Sequence, residues 1–283
     1  FDTEKKAGTF PKVTRESIMR TTDTKRSVRS GYNRDGFDVE EGTFACEENG
    51  TEQPLDDGER ALYKDQFNAE LVATKIATNR ILMNQEIRIK TILQNTSTFT
   101  GSDLYTDVSS SAPFDTAASD VLGAVRAGKA KVRANSGVPA NALIISETVR
   151  EWLKSNTGIK DSIKYVKELT DEELNKALAA LFGLKYVLVG GSMYNSAKEG
   201  QAFSGSYIWS SLYAMICRIA DDPLDLSQPG IGRTFNWISD ASENVIVEEY
   251  RDETIRSDVY RVRQYTDEIL VDAYFGHLLK IDS

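Results

Sequence analysis

The residue types that could carry out catalysis are few and widely separated. The chain has one histidine, His277, inside the apolar segment YFGHLLK, and two cysteines, Cys46 and Cys217. Acid–base catalysis or a zinc site requires several such groups at defined spacings, and a lone histidine in an apolar strand is typical of a structural side chain. The cysteines are predicted to be unpaired thiols in a reducing compartment. We therefore predict no catalytic, cofactor-binding or metal-binding residue.

Two glycine-containing motifs resemble parts of nucleotide-binding loops. The stretch GAVRAGKA, Gly123 to Ala130, has the G-x-x-x-x-G-K spacing of a phosphate-binding loop. That loop needs a preceding strand and a hydroxyl group after the lysine, whereas this stretch has a helical pattern and Ala130 follows Lys129. The glycines of Gly190–Ser192 follow an apolar strand without the rest of a dinucleotide motif, and we interpret them as turn residues.

The composition limits the class of protein. Among 283 residues, 43 are acidic and 34 basic, which gives a formal net charge of −9. This balance argues against dedicated nucleic-acid binding, because that affinity comes mainly from lysine and arginine contacts to phosphates. The apolar runs are too short to span a membrane, so no membrane association is expected. The chain begins at Phe1 without an initiator methionine, and we expect a processed or truncated product.

The amino-terminal region is predicted to project from any core. Residues 1–30 are polar and basic, as expected for a mobile arm, and residues 31–59 have the pattern of an extended β-hairpin. A two-stranded hairpin is marginally stable alone and needs a surface to pack on. We therefore predict that its apolar side chains contact another subunit; these are Phe37, Val39, Phe44 and Cys46.

The rest of the chain alternates helices and strands. Asp56 and Glu59 have the spacing of a capping box that begins a long helix reaching about Asn95. Its predicted apolar face consists of Leu71, Val72, Ile76, Leu82, Met83, Ile87 and Ile92. Residues 140–240 show a mixed α/β pattern with strands near Ala142–Ile145, Leu184–Val189 and Ser211–Ala220, and residues 241–283 are β-rich. An α+β protein with a mobile arm, a hairpin lacking its own core and an overlong helix is predicted to be a self-assembling structural subunit.

Several motifs resemble the major capsid proteins of tailed bacteriophages, which share their fold with encapsulin shell proteins. The similar stretches include ALIISETVREWLKSNTGIKDSIKY, LAALFGLKYVLVGGSMYN, PGIGRTFNW and VEEYRDE, together with PLDDGERALY at the start of the long helix. The resemblance covers nearly the whole chain from about Thr24 onward. These motifs are structural and do not identify a catalytic mechanism.

The resemblance implies a domain organisation and a set of partners. It implies an arm (1–30), an extended hairpin loop (31–59), a long helix with the first part of a peripheral domain (60–139), an axial domain (140–240) and a peripheral β-sheet (241–283). The partners would be copies of the chain in pentamers and hexamers of an icosahedral head. Scaffolding, portal and decoration proteins are further partners that the family allows, and packaged double-stranded DNA would be contacted without sequence specificity. The location would be the virion, assembled in the cytoplasm of the bacterial host.

Two alternatives remain at this point. An encapsulin-like nanocompartment shell would have the same fold but enclose a protein cargo. An α/β enzyme using the turn at Gly190–Ser192 would be a compact monomer or small oligomer with a ligand pocket. The cargo of purified particles distinguishes the first alternative, and the size of the purified protein distinguishes the second.

Overall fold

The structure is a computed structural model that describes residues 1–34, 36, 39–63, 66–163, 170–198, 200–238 and 245–282. The chain divides into two compact units, and each unit is built from separate stretches of sequence. The first unit contains Phe1–Thr9, Thr43–Ile92 and Arg233–Ile269, and the second contains Phe10–Gly42, Leu93–Gly232 and Leu270–Ser283.

Helices and strands alternate along most of the chain. The helices are α1 (Arg15–Met19), α2 (Asp57–Tyr63), α3 (Ala69–Leu93), α4 (Gly101–Leu104), α5 (Val121–Ser136), α6 (Glu147–Ser155), α7 (Thr157–Ile163) and α8 (Asp171–Phe182). The strands are β1 (Asp2–Thr3), β2 (Ala7–Val13), β3 (Val39–Ala45), β4 (Glu47–Asp56), β5 (Tyr105–Asp107), β6 (Ala142–Ser146), β7 (Tyr186–Gly190), β8 (Met193–Asn195), β9 (Gly205–Tyr207), β10 (Tyr213–Cys217), β11 (Gly232–Trp237), β12 (Ile246–Asp252), β13 (Ser257–Leu270) and β14 (Gly276–Lys280).

The long strand β13 organises the first unit. It pairs antiparallel with β12 and with β4, and among the described residues the sheet also includes β11 and β1. Alternate side chains of β13 are buried, as a strand with one covered face requires. Tyr260 packs with Leu55 and Ala73, and Val262 packs with Ala77 and Ile81 of α3. Helix α3 therefore covers one face of this sheet.

The long helix predicted from Asp56 onward is two helices, α2 and α3. Asp56 does act at the start of α2, where its carboxylate accepts a hydrogen bond from the Gly58 amide at 2.7 Å. The predicted buried face of α3 is wrong, because Leu71, Val72, Ile76 and Leu82 are between 39% and 51% exposed. The small residues Ala73 and Ala77, with Ile81, face the sheet instead. Small side chains let the helix lie close to the strands.

A polar network connects the carboxyl-terminal part of α3 to the same sheet. The Arg88 guanidinium donates to both carboxylate oxygens of Glu268 at 2.7 and 3.1 Å. It also donates to Asn49 and Thr266, each at 3.1 Å, and Gln85 donates to Glu268. Burial alone would raise the pKa of Glu268, but hydrogen bonds from Arg88 and Thr266 outweigh it and hold that pKa below its usual value.

The second unit contains the α/β core that the sequence predicts. Its central sheet, within the described ranges, has the order β5-β14-β10-β6-β7, with β6 and β7 parallel and β10 antiparallel to β6 and β14. Strand β6 is completely buried. The strands predicted near Ala142–Ile145, Leu184–Val189 and Ser211–Ala220 are confirmed as β6, β7 and β10. Helices α5, α6, α7 and α8 contribute apolar side chains to this core.

Sequence signals also place the helix ends of this unit correctly. Ser146 caps α6, and Thr170 with Glu173 forms the predicted capping box of α8. Helices α5 and α8 end at Gly137 and Gly183, which have left-handed φ values of +73° and +61°. A glycine adopts this conformation without the steric penalty that other residues incur.

The strand pairing predicted within residues 31–59 is wrong. Strand β3 pairs with β2, and β4 pairs with β13, so β3 and β4 are not partners. The chain passes from β3 to β4 at Cys46 without a turn. The strand that pairs with β3 is β2, and a long connection between Val13 and Val39 joins these two strands. Residues 1–13 are consequently ordered in strands rather than being part of a mobile arm. Strand β14, expected in the peripheral sheet, lies in the sheet of the second unit.

Candidate assembly surfaces

The single histidine is a buried structural group. His277 is fully buried in β14 opposite Ile216 of β10. Its Nδ1 lies 2.8 Å from the Asp103 carbonyl oxygen and its Nε2 lies 2.9 Å from the Thr106 hydroxyl oxygen. Because a carbonyl only accepts, Nδ1 carries the proton and Nε2 accepts from Thr106. Burial lowers the pKa of His277 and keeps it neutral. This geometry agrees with the structural role predicted from the sequence.

The lysine of the motif between Gly123 and Ala130 has a capping role. The motif lies within α5, and Lys129 donates hydrogen bonds to the carbonyl oxygens of Phe182 and, at 2.9 Å, Gly183. These are carbonyl groups at the end of α8, where a cation is electrostatically favourable. The motif therefore lies in a helix, as its sequence pattern predicts, and its lysine has a structural role.

The Gly190–Ser192 turn is shaped by packing. A Cβ atom at Gly190 would lie 2.0 Å from Cδ1 of Trp209, so the indole ring occupies the space that any larger residue would need. Trp209 is itself 6% exposed. The glycine is required for close packing between the end of β7 and the segment after β9.

Both cysteines are free and buried. Burial raises the pKa of Cys217 to about 12, and burial, with a smaller effect of Asp267, raises that of Cys46. The prediction of two unpaired thiols is confirmed for both positions. A thiol with a raised pKa is a poor nucleophile at neutral pH.

Two of the four predicted contact residues are covered by their own chain. The Phe44 ring stacks on Phe235 with 4.5 Å between the ring centroids, and Cys46 Sγ lies 3.6 Å from the Phe235 carbonyl oxygen. The expectation that these side chains need a second subunit is thus corrected, because β11 supplies the surface. Val39 is 40% exposed and stays a candidate contact. Phe37 lies outside the described residues.

The connection between β2 and β3 contains a segment that was predicted partly as arm (to residue 30) and partly as hairpin loop (from residue 31). Residues 20–34, which we call the basic loop, include five arginine or lysine residues and one aspartate. Every residue of the basic loop is exposed and none lies in a helix or strand. Val28 is 94% exposed and Tyr32 is 74% exposed. The signal that could have identified this surface is the presence of Val28 and Tyr32 within a run of cations.

A second exposed region lies where α2 meets α3. A cleft of about 620 Å³, which we call the elbow cleft, is lined by Asp57, Arg60, Ala61, Phe67, Asn68, Ala69 and Glu70. Arg60 forms ion pairs with Glu70 at 2.7 Å and with Asp258 at 2.6 Å. Leu62 follows Ala61 in the sequence and Leu71 follows Glu70, and these two leucines are 66% and 51% exposed. The cleft therefore combines apolar walls with carboxylates that are paired within the chain, Glu70 with Arg60 and Asp57 with Arg251.

A third exposed region is the small hairpin of β8 and β9. Met193 and Tyr207 are opposite each other in this strand pair, and Phe203 in the connecting loop is 79% exposed. Asn195 Oδ1 accepts hydrogen bonds from the amides of Ala197 and Ser204, which holds the loop in shape. These side chains were not predicted from the sequence as contact residues.

In the part of the chain that the structure describes, no group of histidine, cysteine and carboxylate side chains could hold a metal ion. No helix of the described residues has the length and apolar character needed to cross a bilayer.

Sequence comparison relates the chain to a protein with a named role in a virus particle. Over 200 residues, or 70% of this chain, it is 27% identical to the major capsid protein of Burkholderia phage BcepMu. The match spans 63% of the relative's own length. No family model matches the chain.

Solved structures share the fold along nearly the whole chain. A phage-related protein from Bordetella bronchiseptica superposes with a TM-score of 0.70 at 19% identity, covering 99% of this chain and 88% of that protein. The capsid of cyanophage P-SCSP1u gives 0.60 at 13% identity, with 99% and 84% covered. The encapsulin complex of Synechococcus elongatus gives 0.51 at 9% identity, with 100% and 85% covered. The chain therefore has the fold of phage capsid and encapsulin shell proteins, and its sequence is related to that of a phage major capsid protein.

Proposed function

We propose that this chain is the major capsid protein of a tailed bacteriophage. It would assemble with copies of itself into the pentamers and hexamers of an icosahedral head that encloses double-stranded DNA. The observation that carries the proposal is the sequence relationship to the BcepMu major capsid protein, combined with the fold. No enzymatic activity is part of this function, and the protein would reside in the virion after assembly in the host cytoplasm.

The distribution of exposed apolar groups supports this function. The basic loop, the elbow cleft and the β8–β9 hairpin each expose large apolar side chains. Exposed apolar patches on soluble proteins commonly mark interaction sites. Several small contact sites suit a shell, because modest individual contacts become jointly strong when the assembly closes.

The domain roles follow from the same proposal. The second unit, which contains residues 140–232 of the predicted axial domain together with residues 93–139, would form the axial domain. The first unit, which contains α3 and the strands of 241–269, would form the peripheral domain where capsomers meet. The extended loop that reaches a neighbour would be the connection between β2 and β3 rather than residues 31–59. Scaffolding, portal and decoration proteins are additional proposed partners. The packaged DNA would contact the subunit, but the negative net charge of the subunit would keep this contact weak.

An encapsulin-like shell is the second candidate, because the fold is shared. The fold is common to both candidates, since Mycobacterium phage Che8 and the encapsulin complex give the same TM-score of 0.51. The 27% identity to a phage major capsid protein favours the phage function. The contents of purified particles separate the two candidates: nucleic acid indicates a phage head, and a defined co-purifying protein indicates a nanocompartment.

The test of the proposed function is the mass and shape of the purified chain, measured by light scattering and electron microscopy. We expect closed hollow shells, or discrete pentamers and hexamers. A chain that remains monomeric at high concentration, both alone and when expressed with the other head proteins of its source, would contradict the proposal.

A further inference from the structure

Helix α5 carries a concentration of positive charge. Its 16 residues include four cations, Arg126, Lys129, Lys131 and Arg133, and no acidic residue. The whole chain has a formal charge of −9, so the charge of this helix is opposite in sign to that of the molecule. Cations three or four residues apart on one helix repel each other and destabilise it. An anionic partner beside the helix would relieve this repulsion.

The buried face of α5 fixes the helix on the central sheet of the second unit. Val125 and Val132 on this face are fully buried. A Cβ atom at Gly128 would lie 2.4 Å from Cδ1 of Ile216, so the glycine lets the helix lie close to β10. Because one face is held in this way, the residues on the other side of the helix point away from the core.

The other side of α5 is an exposed surface with two arginines. Its exposed residues, which we call the outer face of α5, are Arg126, Ala127, Ala130, Arg133 and Ala134. Arg126 and Arg133 are seven residues apart, which is two turns and about 10 Å along the helix axis. Neither side chain forms a hydrogen bond or an ion pair with the residues that the structure describes. Within this part of the chain, both guanidinium groups are available to a partner.

Two further cations lie at the margins of the outer face. Lys129 and Lys131 are partly exposed, and the helical period of 3.6 residues places them on either side of the outer face. Lys129 donates to the carbonyl oxygens at the end of α8, and Lys131 Nζ lies 3.7 Å from Asp103. Burial, with a smaller effect of Arg126, lowers the pKa of Lys129. The cations of α5 therefore act on one another as well as on their surroundings.

The chemistry of the outer face fits a phosphate backbone better than a protein surface. Protein interfaces are dominated by side chains that fill well-packed pockets, but no exposed large apolar side chain belongs to α5. Arginine binds phosphate oxygens through two parallel N–H···O bonds. The alanines beside the two arginines are short, so they leave room for a polymer backbone to lie along the helix.

We propose that the outer face of α5 binds the phosphate backbone of double-stranded DNA, with Arg126 and Arg133 each contacting a phosphate group. This inference rests on the proposed function and names the surface through which the subunit contacts the packaged DNA. Each DNA strand presents one phosphate per about 3.4 Å of its axis, so arginines about 10 Å apart match phosphates about three nucleotides apart. The contact is independent of sequence, because phosphates carry no base information.

Such a contact is weak in one subunit and effective in a shell. Two phosphate contacts release few counterions, and the net negative charge of the chain opposes them. A closed shell combines the contacts of many copies. Because each contact breaks readily, the DNA would be retained by the shell without being fixed to any one subunit.

The direct test is the salt dependence of DNA binding by the purified chain and by the variant Arg126→Gln with Arg133→Gln. Glutamine removes the charge and has a helix propensity close to that of arginine. Fluorescence anisotropy of a labelled duplex of about 20 base pairs measures binding between about 20 and 200 mM salt. We expect the variant to bind about tenfold more weakly at the lowest salt. The slope of log K against log salt should become less negative by about 2, since each lost phosphate contact removes about 0.9.

The matched control removes two exposed cations elsewhere. Lys75→Gln with Lys198→Gln makes the same change in net charge and should leave the slope close to that of the wild type. Equal losses in the two variants would show that binding follows net charge alone and would overturn the proposal. So would an α5 variant that binds as the wild type does. Arg126→Lys with Arg133→Lys keeps both charges and should keep most of the slope; a loss as large as that of the glutamine variant overturns the proposal.

An acidic protein segment is another partner that these cations could bind. A poly-glutamate peptide with the same number of charges as the duplex tests it as a competitor. We expect the peptide to displace the labelled duplex only at concentrations at least tenfold above those of unlabelled duplex. Equal or stronger competition by the peptide would overturn the proposal in favour of an acidic protein partner.

A photochemical crosslink provides an independent measurement. Ala130→Cys places a thiol between the two arginines, and a photoreactive thiol reagent attached there should crosslink to the duplex. The native thiols are both buried, so they give little background. Leu224→Cys, at an exposed position outside α5, is the control. Crosslinking at least tenfold above the control supports the proposal, and equal yields from the two positions overturn it.

The outcome is separable from that of the proposed function. Shells that form from a chain whose DNA binding does not depend on Arg126 and Arg133 overturn this inference and leave the capsid function standing. A chain that binds DNA through these arginines but never forms shells or capsomers supports the inference and contradicts the capsid function.

Discussion

His277 shows how one buried side chain can make folding stability depend on pH. Its two ring nitrogens are satisfied by the Asp103 carbonyl and the Thr106 hydroxyl, and the ring has no exposed surface. Burial lowers its pKa from 6.5, the Asp103 carbonyl partly opposes this, and Lys131 adds to the lowering. The folded chain therefore keeps the imidazole neutral at pH values where the unfolded chain takes up a proton.

The sign of the effect follows from this difference in proton uptake. Stability from neutral His277 is fully present above about pH 6.5 and is lost as the pH falls below that value, by up to about 1.4 kcal/mol per pH unit. His277→Gln should lower the free energy of unfolding at pH 7.5 by about 1–2 kcal/mol and reduce its decline between pH 7 and pH 5. Urea denaturation across this range measures both quantities. An unchanged pH slope in the variant would contradict the argument.

At the scale of elements, α3 has two different apolar faces. Ala73, Ala77 and Ile81 face the sheet, and the larger Leu71, Ile76 and Leu82 are partly in water. The sequence period indicated the helix correctly but assigned its buried side to the larger residues. Hydrophobicity alone could not distinguish the two faces, because closeness to the strands here favours small side chains.

Substitutions on the two faces of α3 should differ in their effect on folding stability. Ala77→Leu places a larger side chain where no space remains and should cost about 1–3 kcal/mol of folding stability. Leu82→Ser on the exposed side should change stability by no more than about 0.5 kcal/mol. Denaturant titration of both variants measures the difference. Equal effects would mean that the described orientation of α3 is incorrect.

The Arg88–Glu268 pair should be strongly coupled. The Glu268 side chain is only 6% exposed, so Arg88→Met leaves a buried carboxylate without its cation and should cost about 3–5 kcal/mol. The double variant Arg88→Met with Glu268→Met removes both charges and should recover much of that loss. A double-mutant cycle in urea gives the coupling energy. Additive single effects would contradict the proposed dependence of Glu268 on Arg88.

Pairing between distant segments limited what the sequence could predict. The caps at Ser146 and Thr170 and the strands around Ala142 and Tyr186 are encoded within a few residues, and these predictions are confirmed. The partnership of β2 with β3 spans the long segment between Val13 and Val39, and no local pattern specifies it. The exposed apolar residues of the basic loop were missed for a related reason: Val28 and Tyr32 are isolated in the sequence, and isolated apolar residues give no periodic signal.

At the scale of the whole molecule, the charge is divided unevenly. The chain carries a formal charge of −9, yet the basic loop has five cations and one carboxylate. At physiological ionic strength, interactions between exposed charges are screened beyond about 8 Å. The loop can therefore attract an acidic partner at close range although the whole chain is negatively charged.

Replacing residues 20–34 by a Gly-Ser linker of the same length should separate folding from assembly. These residues are exposed and outside helices and strands, so the free energy of unfolding should change by no more than about 0.5 kcal/mol. The proposed function assigns the contact with a neighbouring subunit to the connection between β2 and β3. We therefore expect shell formation to be lost when the apolar side chains and cations of this connection are removed while its length is kept. Denaturation of the subunit and electron microscopy of assembly reactions give the two readouts. Leu224→Ser, which removes an exposed apolar side chain elsewhere, should leave both unchanged. Shells from the linker variant at the wild-type concentration would show that the loop is dispensable, and subunits that unfold more readily would show that it stabilises its own chain.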